Sequence, residues 1–254
     1  MRALALSLAT FSVIALAQAP QTSTFEPEVG QPGKDVVWVP TPQALVDKML
    51  DMAKATPKDY VIDLGSGDGR TVITAAKRGI RALGIEYNPD MVELSKASAA
   101  RQGVSSRASF MKADLFETDF SQATVITMFL LPGINLKLRP KLLGLKPGTR
   151  IVSNTFTMGE WKADEIAELD TNQGCNASWC TALLWIVPAN VAGTWKVPQG
   201  ELKLQQEFQM LSGTLRSEGR ALPVQGRVRG EEIVFTAGGR EYRGKRNGRQ
   251  LELR

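Results

Sequence analysis

The sequence VIDLGSGDGR, at residues 61–70, is the most informative stretch of this 254-residue chain for its fold. An apolar run of strand type enters a turn with glycines at positions 65, 67 and 69, and a helical pattern follows. Glycines in such a turn let the main chain pass close beneath a ligand at the carboxyl end of the strand. We therefore expect a small-molecule site centred on residues 63–69.

Strand-like and helix-like segments alternate around this turn. The alternation predicts a doubly wound, Rossmann-like α/β domain, in which helices cover both faces of a parallel sheet. Ahead of the turn, Thr41 suits the N-cap and Pro42 the first position of an amphipathic helix. Further helices are expected to begin near Arg70, Pro89 and Gly133. Strands are predicted at residues 60–64, 82–86, 108–112, 124–128, 149–154 and 181–187.

The first residues have the layout of a secretory signal peptide. Arg2 precedes an apolar run at residues 3–17, and a small-residue cleavage site follows within residues 17–19. The run is shorter than the roughly 20 residues that a membrane-spanning helix needs. We predict a signal peptide at residues 1–19 and export, either to the periplasm or as a secreted protein. If the segment stays uncleaved, it predicts a membrane anchor instead.

A polar linker is predicted at residues 20–34, the α/β domain at 35–190 and a small all-β domain at 191–254. The β domain has ten glycines and short alternating segments, which indicate antiparallel strands joined by tight turns. Its size suggests a half-barrel that is closed by dimerisation or packed on the first domain. From residue 193 onward it has 12 Lys and Arg against 7 Asp and Glu. The difference of +5 equals the net charge of the whole chain. This surface predicts an anionic membrane or acidic partner, and a solvated charged face is the alternative.

The residue types that are missing restrict the chemistry. The chain contains no histidine, which removes the commonest general base and the usual Ser-His and Cys-His pairs. Two cysteines without histidine do not make the usual zinc site, so no metal is expected. In an oxidising compartment, Cys175 and Cys180 would form a disulfide, and two free thiols are the alternative. No residue is assigned as a catalytic base.

The charges of the glycine turn favour one cofactor over another. A dinucleotide-binding turn places its third glycine one residue later, where this chain has Arg70. Carboxylates at Asp63 and Asp68 would repel a pyrophosphate. The same carboxylates would attract the ammonium and sulfonium groups of S-adenosylmethionine (SAM). We therefore predict SAM as the cofactor.

Two further acidic residues follow strands where a nucleoside needs them. Glu86 stands 21 residues after Gly65, where a carboxylate accepts hydrogen bonds from both ribose hydroxyls. Asp114 follows the third strand and would accept from the adenine amino group, with the Leu115 N–H facing the ring and Tyr87 covering it. Any one of these acids alone is more often a solvated loop residue or a helix cap. Together, at this spacing, they indicate a nucleoside site.

The motifs resemble those of class I SAM-dependent methyltransferases. The residues that carry the resemblance are DLGSGDGR at 63–70 and GIEYNP at 84–89. VPTP at 39–42, ADLF at 113–116 and LP at 131–132 are similar to the protein-lysine N-methyltransferases that modify the ATP synthase c subunit and the adenine nucleotide translocase, and to their prokaryotic relatives. The resemblance implies that the end of the fourth strand lines the acceptor pocket. The predicted cofactor site comprises Asp63, Gly65, Ser66, Gly67, Asp68, Gly69, Glu86, Tyr87, Asp114, Leu115 and Thr127; the predicted acceptor pocket comprises Thr41, Phe129, Leu131 and Pro132.

The resemblance implies methylation of a lysine side chain of a protein. The fourth strand lacks the Asn/Asp-Pro-Pro-Tyr pattern of enzymes that methylate nucleic-acid bases, so no nucleic-acid partner is expected. Methyl transfer depends mainly on alignment of the reacting atoms, and an apolar pocket would lower the amine pKa from about 10.4. Because SAM is made in the cytosol, an exported chain would lack a supply. The alternative hypothesis is therefore an exported or membrane-associated SAM- or nucleoside-binding module without turnover.

Overall fold

The structure, a computed structural model, describes residues 25–248 and 250–253. The described residues form two seven-stranded sheets, one mixed and flanked by helices, the other antiparallel. This confirms the predicted fold class. The first sheet and its helices comprise α1 (Gln43–Met52), β1 (Tyr60–Leu64), α2 (Arg70–Lys77), β2 (Arg81–Glu86), α3 (Pro89–Arg101), β3 (Ala108–Lys112), β4 (Val125–Met128), α4 (Pro132–Leu143), β5 (Arg150–Asn154), β6 (Glu165–Glu168) and β7 (Thr181–Ile186).

The first sheet has the order β3-β2-β1-β4-β5-β7-β6. Strands β1 to β5 are parallel to one another, and β7 runs antiparallel to both β5 and β6. The chain proceeds outward from β1 through β2 and β3, then returns to the other side of β1 with β4. The order therefore reverses between β1 and β4, and open α/β sheets bind their ligands outside the carboxyl ends of the strands at such a point.

Helix α1 packs on the sheet through the face that the sequence pattern predicts. Leu45, Val46, Met49 and Leu50 are all buried. The predicted N-cap is wrong: Pro42 takes that position, and no side chain caps the helix. The hydroxyl of Thr41 instead accepts a hydrogen bond from Asn154 Nδ2 at 3.3 Å. A tertiary contact has replaced the local one.

The second sheet is a simple antiparallel meander. Its strands are β8 (Gly193–Val197), β9 (Gly200–Glu207), β10 (Met210–Ser217), β11 (Arg220–Arg229), β12 (Glu232–Ala237), β13 (Arg240–Asn247) and β14 (Gln250–Leu253). The sheet curls so that Cα atoms of its two edge strands, β14 and β8, come within 8 Å of each other. Its inner face buries a core that includes Leu202, Leu215, Val228 and Phe235.

The meander packs on the first sheet rather than standing apart. Gln209 is buried and donates from Nε2 to the carbonyl oxygen of Lys162 at 2.7 Å. Phe208 stacks on Trp161, with ring centroids 6.2 Å apart. The carboxylate of Asp164 is buried and pairs with Arg227 of β11. Of the two arrangements that the sequence left open, dimerisation or packing on the first domain, the structure shows packing.

The predicted signal peptide, residues 1–19, lies outside the described residues. Within residues 25–248 and 250–253, no helix is long and apolar enough to cross a membrane.

Candidate functional site

A pocket opens at the carboxyl ends of β1, β2 and β4, where the strand order reverses. Most of the predicted cofactor residues line it: Asp63, Gly65, Ser66, Gly67, Asp68, Glu86, Tyr87, Asp114 and Leu115. The other two, Gly69 and Thr127, do not line the pocket but support residues that do. Gly69 precedes α2 with a φ of 78°, and Thr127 donates a hydrogen bond to Asp63.

The glycine turn leaves room only for backbone. Gly65 and Gly67 have φ values of 74° and 53°, which side chains rarely tolerate. A Cβ on Gly67 would come within 2.6 Å of Trp38 Nε1. The amides of Gly65 and Ser66 both donate to the carbonyl of Ile85, which fastens the turn to β2. The turn is therefore a rigid floor to the pocket.

Asp63 is the most perturbed acid of the site. It lies in the apolar strand β1 with an exposed fraction of only 6%, and Thr127 Oγ1 donates to its Oδ1 at 2.6 Å. Burial raises the pKa of Asp63 to about 7, and the negative charges of Asp68 and Glu86 add to the increase. A cationic ligand group beside this carboxylate would favour its ionised form.

The other two acids near the turn are already held by hydrogen bonds. Glu86 accepts from the amide of Gly67 with Oε2 and from the amide of Asn88 with Oε1, both at 2.9 Å. These bonds orient the carboxylate, and each oxygen keeps lone pairs for a ribose hydroxyl. Asp68 forms a bidentate ion pair with Arg70. The negative charge that faces a ligand therefore comes mainly from Asp63 and Glu86.

The segment before α1 covers the nucleoside side of the pocket. Lys34 pairs with Asp114, and its ammonium lies 4.9 Å from the centre of the Tyr87 ring. This ion pair and the amide of Phe116 lower the pKa of Asp114. Residues 31–41 contribute to the pocket wall. The sequence predicted only a linker at 20–34, because the segment has no apolar periodicity of its own. The contact of Lys34 with Asp114 was therefore not expected.

The structure places two of the four predicted acceptor residues in the wall of the pocket. Thr41 and Phe129 line the pocket, together with Met128, Leu130 and Ile134. Leu131 and Pro132 are not among the lining residues: Leu131 is 41% exposed just ahead of α4, and Pro132 begins that helix. Leu131 is the N-cap of α4 and Pro132 is its first residue, so both lie beyond the end of β4.

Sequence reasoning missed several residues that shape the site. Trp38 covers Gly67, and Ser95 of α3 donates to the carbonyl of Gly67 at 3.0 Å. The apolar run around Trp38 was the only local signal for its contact with Gly67, and no local signal indicates the contact of Ser95.

The two cysteines form the disulfide Cys175–Cys180.

These residues fit SAM. Two oriented carboxylates face the pocket, which suits a ligand with an ammonium, a sulfonium and a ribose diol. Ser66 Oγ is buried without a hydrogen-bond partner among the described residues, so the pocket retains polar capacity. Asp63, oriented by Thr127, would hold the methionine end, Glu86 the ribose, and Asp114 with Tyr87 the adenine.

Comparison with known proteins gives the same class. A family model described as the ANTKMT methyltransferase domain matches residues 63–165. A protein-lysine N-methyltransferase of Saccharolobus islandicus is 46% identical over 138 residues, which are 53% of this chain and 86% of that protein. The lysine N-methyltransferase of Homo sapiens that is named for the ATP synthase C-subunit is 34% identical over 143 residues, 56% of this chain and 59% of that protein.

A solved structure is similar over a slightly larger share of the chain. It is described as an RNA methyltransferase from Salinibacter ruber in complex with S-adenosyl-L-homocysteine, and it is 43% identical with a TM-score of 0.56. The match covers 60% of this chain and 96% of that one. The fold and the site thus define a SAM-dependent methyltransferase of the doubly wound class.

Within that class, the chain belongs to the family of the ANTKMT methyltransferase domain and its protein-lysine N-methyltransferase relatives. This confirms the resemblance and the cofactor predicted from the sequence. The hypothesis of a binding module without turnover is not supported by these relatives. The chain spans most of the Saccharolobus relative but about 59% of the human one. The family model ends at residue 165, ahead of the antiparallel meander.

Proposed function

We propose that the chain transfers the methyl group of SAM to a lysine side chain of a protein. The observation that carries the proposal is the apolar acceptor end of the pocket, formed by Met128, Phe129, Leu130 and Ile134. An alkylammonium that enters such a site loses hydration, and its pKa falls. The names of the Saccharolobus and human relatives support the same acceptor.

The chain contributes to this reaction mainly by alignment. When bound, SAM supplies an electrophilic methyl group on a positively charged sulfur. Asp63 orients the methionine end of the cofactor and Glu86 orients its ribose, while the apolar wall around Phe129 orients the acceptor and excludes water. Positioning of this kind accounts for a large part of the acceleration of bimolecular reactions, about 7–11 kcal/mol in well-oriented intramolecular systems. We assign no side chain as the base, and the released proton leaves to solvent.

The proposal is tested by following the label from methyl-labelled SAM into a lysate of cells that lack the gene. Label that is sensitive to protease, and that appears as methyl-lysine after acid hydrolysis, is the expected result. Glu86→Ala, which removes the predicted ribose contact, serves as the cofactor-deficient control and should transfer far less label. SAM binding without any transfer would contradict the proposal and restore the binding-module hypothesis.

The same experiment distinguishes an RNA acceptor. The similar solved structure is described as an RNA methyltransferase, which makes RNA the second candidate. Label that is removed by ribonuclease and retained after protease would favour RNA and contradict the lysine acceptor. An anionic membrane or acidic partner for the basic meander has no support from the relatives, and four of its cations already pair with carboxylates: Arg227, Arg229, Arg243 and Lys245.

A further inference from the structure

Three aromatic side chains from separate parts of the chain meet beside the acceptor end of the pocket. Phe129 follows β4, Phe156 follows β5, and Trp179 precedes β7. Their ring centroids are 5.5 to 6.2 Å apart, which is the range of favourable aromatic contacts. Because β7 is antiparallel to β5, its start lies at the same sheet edge as the ends of β4 and β5. We call these three residues the aromatic trio.

Local constraints hold Phe156 in place. Phe156 follows Thr155, whose φ of 59° is unfavourable for a β-branched residue. The Thr155 amide donates to the carbonyl of Thr181 at 2.7 Å, which keeps this turn against the start of β7. Backbone conformations of this kind persist only where the surroundings enforce them, and they concentrate at functional sites.

A disulfide constrains Trp179. Trp179 lies in the short loop closed by Cys175 and Cys180, and Cys175 is buried in the core beside α1. The loop therefore has little freedom, and Trp179 remains 37% exposed. An indole that is both fixed and partly open to solvent is available to a ligand.

The trio is continuous with the pocket. Phe129 lines the pocket and also contacts both other rings. Aromatic rings attract alkylammonium and quaternary ammonium groups through their electron-rich faces, and tryptophan does so most strongly. We propose that the aromatic trio binds the acceptor ammonium by cation–π contact, with Trp179 as its principal specificity-determining residue. This inference rests on the lysine acceptor proposed above.

The arrangement separates two requirements that conflict. Cation–π contact favours the protonated lysine, whereas methyl transfer needs the neutral amine. The trio attracts the charged side chain at the mouth. The ammonium gives up its proton to solvent there, and the neutral amine then passes Phe129 toward Met128 and Leu130. A methylated product keeps its positive charge, so the same rings also hold it between successive transfers.

The test compares a cation with an uncharged molecule of the same shape. The probes are an Nε-trimethyl-lysine peptide and its carbon isostere, in which a tert-butyl group replaces the trimethylammonium. Both are titrated into the full chain saturated with S-adenosylhomocysteine, and binding is measured by isothermal titration calorimetry, which does not depend on the Trp179 indole. We expect the cation to bind about 2- to 30-fold more tightly, the range that cation–π contacts provide. Equal affinities would overturn the proposal.

Variants at one position identify the ring that matters. Trp179→Leu should bring the preference close to one, and Trp179→Phe, the matched control, should retain most of it. An unchanged preference in Trp179→Leu would contradict the role of Trp179. Unaltered S-adenosylhomocysteine affinity and circular dichroism in both variants would exclude misfolding. Reduction of the disulfide should also weaken the preference, because it frees the loop.

The outcomes distinguish this inference from the proposed function. If labelled methyl reaches lysine but the probes bind equally, the trio is not the acceptor site and the lysine acceptor stands. If the probes show the preference but lysine is never labelled, the cation site stands and the acceptor proposal fails.

Discussion

Substitution of Asp63 by Asn should remove a pH dependence from cofactor binding. Asp63 is buried beside Thr127, and burial raises its pKa to about 7. Below that pH the carboxyl is neutral and cannot attract the ammonium of SAM. If binding requires the ionised form, the apparent Kd scales with the inverse of the ionised fraction, so it should rise about eightfold between about pH 7.5 and 6.0.

Isothermal titration with S-adenosylhomocysteine measures this directly, since that ligand keeps the ammonium. Asp63→Asn has the same shape and a side-chain oxygen that still accepts from Thr127, so it serves as a matched control for the ligand's own titration. Its Kd should be weaker at about pH 7.5 and should change little down to about pH 6.0. An equal pH slope in both proteins would refute the role of Asp63, and so would a flat profile in the wild type.

The same residue has a predicted effect on stability with a defined sign. Its pKa in the folded chain lies above its ordinary value of 3.8, so folding favours the neutral form. The free energy of unfolding should therefore fall as pH rises from about 4 through about 7. The expected loss is about 4 kcal/mol, because each pKa unit corresponds to about 1.4 kcal/mol. Asp63→Asn should lose less stability over that range in urea unfolding curves. A parallel loss would show that other groups cause it.

Three further predictions concern the ribose contact, the glycine turn and the docked meander. Glu86→Ala should weaken SAM binding by about 1.5–3 kcal/mol, or roughly 10- to 150-fold, because a charged acceptor is lost; calorimetry measures this. Gly69→Ala should destabilise the chain by about 1–3 kcal/mol in thermal unfolding, since its Cβ would lie 2.7 Å from neighbouring side chains at a positive φ; Gly133→Ala, with open space, should be nearly neutral. Arg227→Ala should cost about 3 kcal/mol because it strands a buried carboxylate, whereas Arg229→Ala, paired with an exposed one, should cost less than about 1 kcal/mol. Equal effects of the two arginine substitutions would contradict this difference in burial.

Local signals account for the parts of the fold that were predicted well. The apolar runs and glycines around β1 are a pattern within about ten residues, and strands and helices began close to the predicted positions. The short strand β6 was missed because Glu165–Glu168 is largely exposed and shows no apolar alternation. The cap of α1 was predicted from Thr41 alone, but the Thr41 hydroxyl hydrogen-bonds to Asn154, which is 113 residues away in the sequence.

The glycine turn and the acids at the strand ends can be recognised in the sequence alone, because main-chain freedom and strand periodicity are local properties. These local features were enough to indicate SAM and the methyltransferase class. The surroundings of those residues, in contrast, depend on the folded chain. Burial raises the pKa of Asp63, Lys34 reaches Asp114 across 80 residues, and the aromatic trio assembles from three loops. Burial and pairing of this kind depend on how distant segments pack, and no short stretch of sequence records it.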